Sequence, residues 1–467
     1  MADQCALRVM RELSQFARSD DIAIDISYKE TNIRDIKALI IGPPDTPYAL
    51  GFYQFSITIP PGEYQSGRLK FISSQETTDR DCTEYPEKPP TVLLQTTNRG
   101  QTRFGPNLYA GGKVCLSILG TWQAESNEQW TPVLGLETVL RSIQSLLAAK
   151  PFNLEPGFED EPDQARSQAY NAKIKHESLR LTVITPLERA YGIRPPPPSG
   201  RPNQGQYQDQ YYEPGHPDPA LSEEPVNLFL DTYKRRFMWY LESYKMAIQQ
   251  GLKDGRARAG HPFPQAPFEY PGNYMIGFWD YEGLEKRLEV LELRIKAETN
   301  SWAIEGRRLE RKEQPLAASL RAQRAQIVRQ LTQRTDGMVT LELVDDNPFL
   351  WRLIYHGRPM TQFDGGVLKI KIFISPNHPA EQPRVFLETP LYHVRVSPQS
   401  VLIYLPLQAD EMSRHIDGII SSLEEEKPPV NPMMTVNPEA SALCWGSEAD
   451  QRQYRRNLRR SVAATLE

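Results

Sequence analysis

Cysteine is scarce in this sequence: four residues among 467, at Cys5, Cys82, Cys115 and Cys444. So few thiols in so long a chain argue against a disulfide framework. No two of them stand at the short spacing of a zinc site or a redox dithiol. Histidine is also rare, with seven residues, and none precedes His176. A papain-like pairing with an earlier cysteine therefore has no local signature. No apolar run approaches the roughly 20 residues needed to cross a bilayer, and no charged stretch followed by an apolar one stands near Met1. Neither sign of charge dominates, since 54 Lys and Arg against 59 Asp and Glu leave a formal net charge of -5. That balance gives no reason to expect nucleic acid or an anionic membrane as partner. The expectation is a protein of the cytoplasm or nucleus that needs neither metal nor other cofactor.

What the chain does have is enough apolar residues for ordinary cores, 39%, and a length that suggests two or three units. Residues 1–194 alternate strand-like and helix-like patterns. Residues 195–224, rich in Pro, Gln, Tyr and Gly, offer little aliphatic surface to bury and read as a linker. Between 225 and 336 the period is helical: Leu228, Leu230, Tyr233, Phe237, Tyr240, Leu241 and Tyr244 favour one face, as do Leu284, Leu288, Leu291 and Ile295. An Arg-rich helix is expected over Leu316–Thr332. Strand patterns return at Val339–Val344, Trp351–Tyr355 and Val367–Ile374, ahead of a helix-rich tail, so that 337–467 forms another unit.

Within the first unit, Leu7, Val9, Met10 and Leu13 predict an amphipathic helix. Strands follow at Ala23–Tyr28, Ile36–Ile41, Tyr53–Ile59 and Thr91–Gln95, punctuated by Pro and Gly turns. A helix is expected over Leu134–Ala149, with Thr131 as its cap and Pro132 in its first turn. Helices segregated from a four-stranded antiparallel meander make an α+β fold.

Ordered motifs say more than periodicity. Ile41-Gly42-Pro43-Pro44-Asp45-Thr46-Pro47-Tyr48 is followed by Tyr85-Pro86-Glu87-Lys88-Pro89-Pro90. Pro106-Asn107 stands eight residues before Cys115, inside Gly112-Lys113-Val114-Cys115-Leu116-Ser117-Ile118-Leu119, and Trp130-Thr131-Pro132 comes next. In this order and spacing they resemble the ubiquitin-conjugating enzymes. Gly120-Thr121-Trp122 and Asn153-Leu154-Glu155-Pro156-Gly157 add a likeness to their Z-type branch.

The resemblance implies the family's fold and a thioester to ubiquitin, or a ubiquitin-like protein, on Cys115. An activating enzyme would load it, and a lysine amine or a ubiquitin ligase would receive it. A thiol suits that work, being a few per cent ionised at neutral pH yet intrinsically nucleophilic. Asn107 falls where the family's Asn stabilises the oxyanion or orders the loop; a turn cap is the alternative role. Glu155 or Asn153 occupies the region that orients the incoming lysine, with a solvated loop carboxylate as the alternative for Glu155. Gly105 replaces the family's histidine, which implies a more mobile loop. Glu87 stands where an apolar residue often meets the ligase. The segment 61–84 inserts some twenty mostly polar residues, with Cys82 as an incidental surface thiol. Arg8, Arg11 and Arg18 lie on the helix where the family meets its activating enzyme.

Residues 337–467 read as a second, degenerate copy, with Ile403 at the cysteine position, the Asn motif absent, and Cys444 a core residue rather than a nucleophile. An inactive domain is expected. Two readings compete with the enzyme: a non-catalytic scaffold that holds ubiquitin or a ligase through both copies, and a cysteine hydrolase, for which no supporting motif stands near the thiol.

Overall fold

The computed structural model describes residues 4–17, 21–60, 85–122, 128–160, 162–195, 228–255, 259–426 and 428–466. Most of the expected linker, the polar insert with Cys82, and Arg18 lie outside the described residues. The chain forms two compact units, Met1–Phe229 with Gly251–Leu284, and Leu230–Gln250 with Glu285–Glu467. The segment 225–336 is thus divided between the two.

Period-two alternation builds the first sheet. β1 (Ile24–Lys29), β2 (Asn32–Ile41), β3 (Phe52–Thr58) and β4 (Thr91–Leu94) pair in sequence order as an antiparallel meander. The register places Ile36 opposite Ile57, Ala38 opposite Phe55 and Ile40 opposite Tyr53, all fully buried. Residues directly across an antiparallel pair share a face, so these rows form one apolar surface. Burial of each large side chain contributes about 1.5–3 kcal/mol.

Helix α1 (Gln4–Ala17) packs on this unit through Cys5, Val9 and Leu13, together with Glu12. Leu7 and Met10, expected on the inner face, are exposed. The buried face follows steps of about four residues from Cys5, and those two positions fall off it. The helix after the cysteine, α2, runs Leu136–Leu146 and not Leu134–Ala149. Thr131 does not cap it: Gly135 is the N-cap residue, and a Glu12 carboxylate oxygen from α1 accepts from Leu136 N at 2.9 Å. The other Glu12 contacts are Tyr85 Oη at 2.6 Å and an ion pair with Arg8, so a single buried carboxylate joins α1, the Tyr-Pro turn and α2. Beyond Pro151–Leu154 come α3 (Gln164–Glu177), a wide π turn over Ser178–Ile184, and α4 (Thr185–Ala190).

The long helices α5 (Leu230–Lys253), α6 (Tyr281–Arg311) and α7 (Pro315–Thr335) match the expected periodic stretches. Leu228, however, precedes α5 and is exposed, while Phe229 is buried. In the second unit β5 (Val339–Leu343), β6 (Leu350–His356), β7 (Val367–Phe373) and β8 (Arg384–Leu387) repeat the antiparallel meander. Trp351 lies opposite Ile372, Leu353 opposite Ile370 and Tyr355 opposite Leu368, in a core shared with Met412, Ile416 and Ile419 of α8 (Met412–Glu424). α9 (Pro438–Cys444) and α10 (Glu448–Ala463) complete this unit, α9 being capped by Asn437 Oδ1 on Ala440 N at 3.1 Å. The expected α+β arrangement, a four-stranded meander with flanking helices, is present twice.

Candidate active site

Cys115 sits at the end of an irregular hairpin that starts from the Phe104–Pro106 turn. Its backbone N donates to Asn107 O at 2.9 Å, and Asn107 Nδ2 donates back to Cys115 O at 3.0 Å. Asn107 therefore orders the cysteine loop through both its backbone and its amide. Thr121 braces the other side: its hydroxyl donates to Val114 O at 2.7 Å and accepts from Leu116 N at 2.9 Å. A short 3-10 turn, Ser117–Leu119, carries the chain away from the thiol.

Cys115 is buried, with 2% of the residue exposed. Burial raises its pKa, while the Lys113 ammonium, the Tyr109 hydroxyl and the Arg103 guanidinium pull it down and Glu155 pushes it up. Burial prevails, because the charged form loses more hydration than the neighbouring cations restore.

Gly105 lies close to the Tyr48 hydroxyl. A Cβ there would stand 3.0 Å from Tyr48 Oη, which donates to Phe104 O at 2.6 Å. The loop expected to be looser without the family's histidine is tied instead by Arg103, a residue that sequence reasoning passed over. The Arg103 side chain is 1% exposed; Nε donates to Gly105 O at 3.1 Å, Nη2 to Pro106 O and to Glu155 Oε2, each at 3.0 Å, and Nη1 to Phe268 O at 2.9 Å.

Glu155 is thus brought to the cysteine loop, as the partner of Arg103 rather than as a free carboxylate. Burial raises its pKa against the pull of that guanidinium. Asn153 is engaged elsewhere: its amide donates to Phe158 O at 3.2 Å and to Glu159 O at 2.7 Å, folding the turn beyond. Glu87 is exposed.

The second unit repeats much of this loop's backbone pairing. Ile403 N donates to Arg395 O at 2.9 Å, and Val396 bridges Leu402 as Leu108 bridges Val114. Leu387 N donates to Ser400 O, and Leu94 N to Gly112 O, both at 2.8 Å. Ile403 thus takes the register of Cys115, Arg395 that of Asn107, and His393 that of Gly105. Ile403 is fully buried. Cys444, at the end of α9, is half-buried against the second core, and burial raises its pKa.

A four-stranded meander with flanking helices and a cysteine loop tied to an upstream Asn is a ubiquitin-conjugating domain, accompanied here by a second copy without the thiol. A family model described as ubiquitin-conjugating enzyme matches residues 82–177 and 322–461, just over half of the chain. The chain belongs to the ubiquitin-conjugating enzyme family. It is similar to ubiquitin-conjugating enzyme E2 Z of Xenopus tropicalis, 38% identical over 187 residues, which cover 40% of this chain and 52% of that protein. Human ubiquitin-conjugating enzyme E2 Z is 37% identical over 187 residues, covering 40% and 46%. The human dual E2 ubiquitin-conjugating enzyme/E3 ubiquitin-protein ligase BIRC6 is 36% identical over 177 residues, 37% of this chain and 3% of that one. The chain spans about half the length of the E2 Z relatives it matches.

Proposed function

We propose that the protein accepts ubiquitin, or a ubiquitin-like protein, from an activating enzyme as a thioester on Cys115 and passes it to a lysine amine or to a ligase, in the cytoplasm or nucleus. The observation that carries this reading is the reciprocal backbone and amide pairing of Cys115 with Asn107, in a loop whose copy in the second unit has lost both residues. Attack on the activating enzyme's thioester requires only the thiolate. The later aminolysis places negative charge on the former carbonyl oxygen, where a nearby amide donor is worth about 10²–10³ in rate. For Asn107 to supply it, the amide would exchange the Cys115 carbonyl for the oxyanion. Exposed Leu7, Met10 and Arg11 on α1 fit a surface for the activating enzyme.

A non-catalytic scaffold is favoured by two features, Gly105 in place of the family's histidine and Glu87 in place of an apolar residue at the ligase position. The two readings separate when the protein is incubated with activating enzyme, ATP and ubiquitin. The enzyme reading expects an adduct lost on reduction, and for Cys115→Ser a reductant-stable ester or none. Failure to load any of a panel of ubiquitin-like proteins would support the scaffold.

A further inference from the structure

Residues of the strap Gly260–Trp279 run beside the segment that leads into the cysteine loop. Arg103 N donates to Tyr274 O at 2.7 Å, Ile276 N to Gln101 O at 3.0 Å, and Ala110 N to Asn273 Oδ1 at 3.0 Å. The strap is anchored by a buried ion pair, Lys173 Nζ to Glu269 Oε2 at 2.6 Å, both side chains fully buried. Glu269 also accepts from Ala266 N at 2.8 Å. Its Phe268 carbonyl then meets Arg103, whose guanidinium lies 5.0 Å from the Tyr109 ring centre and 5.2 Å from that of Phe268.

We propose that Arg103, clamped from the strap, is a positioning residue of the transfer step, setting the loop of Asn107 and Cys115 against Glu155. This rests on the reading of Cys115 as the thioester residue. A buried charge with one carboxylate partner is a costly way to fill space; an apolar side chain of similar volume is often as stable or more so. What the guanidinium supplies is a planar fork with five donors, which here reaches the carbonyls of Gly105, Pro106 and Phe268 and the Glu155 carboxylate at once. Those acceptors belong to the turn before Asn107, to the strap and to the loop after α2. One side chain thereby joins all three segments. The same charge favours the thiolate and opposes the burial that raises the Glu155 pKa.

The test uses the full chain with Arg103→Gln and Arg103→Lys. Iodoacetamide alkylation followed at the Cys115 peptide across pH reads the thiol without ubiquitin. Discharge of the preformed thioester to free lysine, as a function of lysine concentration, reads positioning. For Arg103→Gln the alkylation profile should move to higher pH, because a cation that favours the thiolate is gone. Arg103→Lys keeps the charge without the fork: its profile should stay near wild type while the maximal discharge rate falls about ten- to hundredfold, as for a misplacement of about an ångström. If Arg103→Gln does not fold, Arg103→Lys decides alone. A folded Arg103→Lys with wild-type discharge overturns the proposal, as does a folded Arg103→Gln with an unmoved profile and rate. If the wild type forms no thioester, the functional reading fails, and the alkylation profile still reports whether Arg103 governs the thiol.

Discussion

The loops at Cys115 and Ile403 share a backbone and differ in nearly every side chain that chemistry could use. In each, the residue at the cysteine position donates its N–H at 2.9 Å to a carbonyl eight residues upstream, and the same bridge follows. Around Cys115 stand Asn107, Tyr109, Lys113 and, through Arg103, Glu155. Around Ile403 the corresponding amide is replaced by Arg395, which turns to Glu425 at 2.7 Å and to Met434 Sδ. The sheet registers and apolar rows preserve the fold without the reactive group. Fold and chemistry are thus separable here: the first depends on many apolar positions, the second on a handful of side chains in one loop.

The largest expected effect tests the fold half of that comparison. Trp351 is fully buried, with Nε1 donating to Pro348 O at 2.8 Å. Trp351→Ala should destabilise the second unit by about 3–5 kcal/mol, read as lost hydrogen-exchange protection in β5–β8. Protection unchanged there would mean that the buried row does not hold the sheet.

Next comes the chemical half. Asn107→Ala should slow thioester discharge to lysine about 10²–10³-fold if the amide serves the oxyanion. If it only orders the loop, loading by the activating enzyme should fall with discharge. Comparing the two rates in one variant distinguishes these roles.

Acid should also separate the units. Burial lowers His393 to about 3 and His415 to about 4, and lowers His378 as well. The folded rings stay neutral while the unfolded chain takes up protons near 6.5, so the unfolded state binds more protons in between. Stability therefore falls as pH drops below 6.5, by about 1.4 kcal/mol per pH unit for each ring until its folded pKa is reached. Among the described histidines of the first unit, only His176 has its pKa lowered in this way, and Glu177, lowered to about 2, adds a loss only below about pH 4.5. Between pH 6.5 and 4.5 the second unit should lose protection first, with hydrogen exchange corrected for intrinsic rates. Equal loss in both would remove the histidines as the cause.

Glu12→Gln is expected to have the smallest effect, about 1–2 kcal/mol in the first unit, because glutamine keeps one acceptor but loses the charge shared by Tyr85, Leu136 and Arg8. A denaturation midpoint equal to wild type would show that the carboxylate is dispensable.

The meander was legible because strand alternation is local, and the cysteine loop because its motifs sit close together in order. Ile403 was placed by spacing alone, and the backbone bonds agree with that placement. The contacts that were missed are distant in sequence. Arg103 meets a carbonyl 165 positions away, and the cap of α2 comes from a residue 124 positions earlier. Local pattern suggested Thr131 as the cap because Thr-Pro is a common helix start; a buried carboxylate on another helix took the role. Leu7 and Met10 misled for a related reason, since hydrophobicity alone does not tell a core face from an exposed one.

The most direct test of confinement to the first copy is loading by activating enzyme, ATP and ubiquitin of four proteins: wild type, Cys115→Ser, Ile403→Cys and the double variant. Wild type and Ile403→Cys should each carry one reductant-sensitive ubiquitin, on Cys115. Cys115→Ser should carry at most a stable ester, and the double variant no thioester on residue 403. A thioester on the introduced cysteine, or one that persists in Cys115→Ser, would contradict the account.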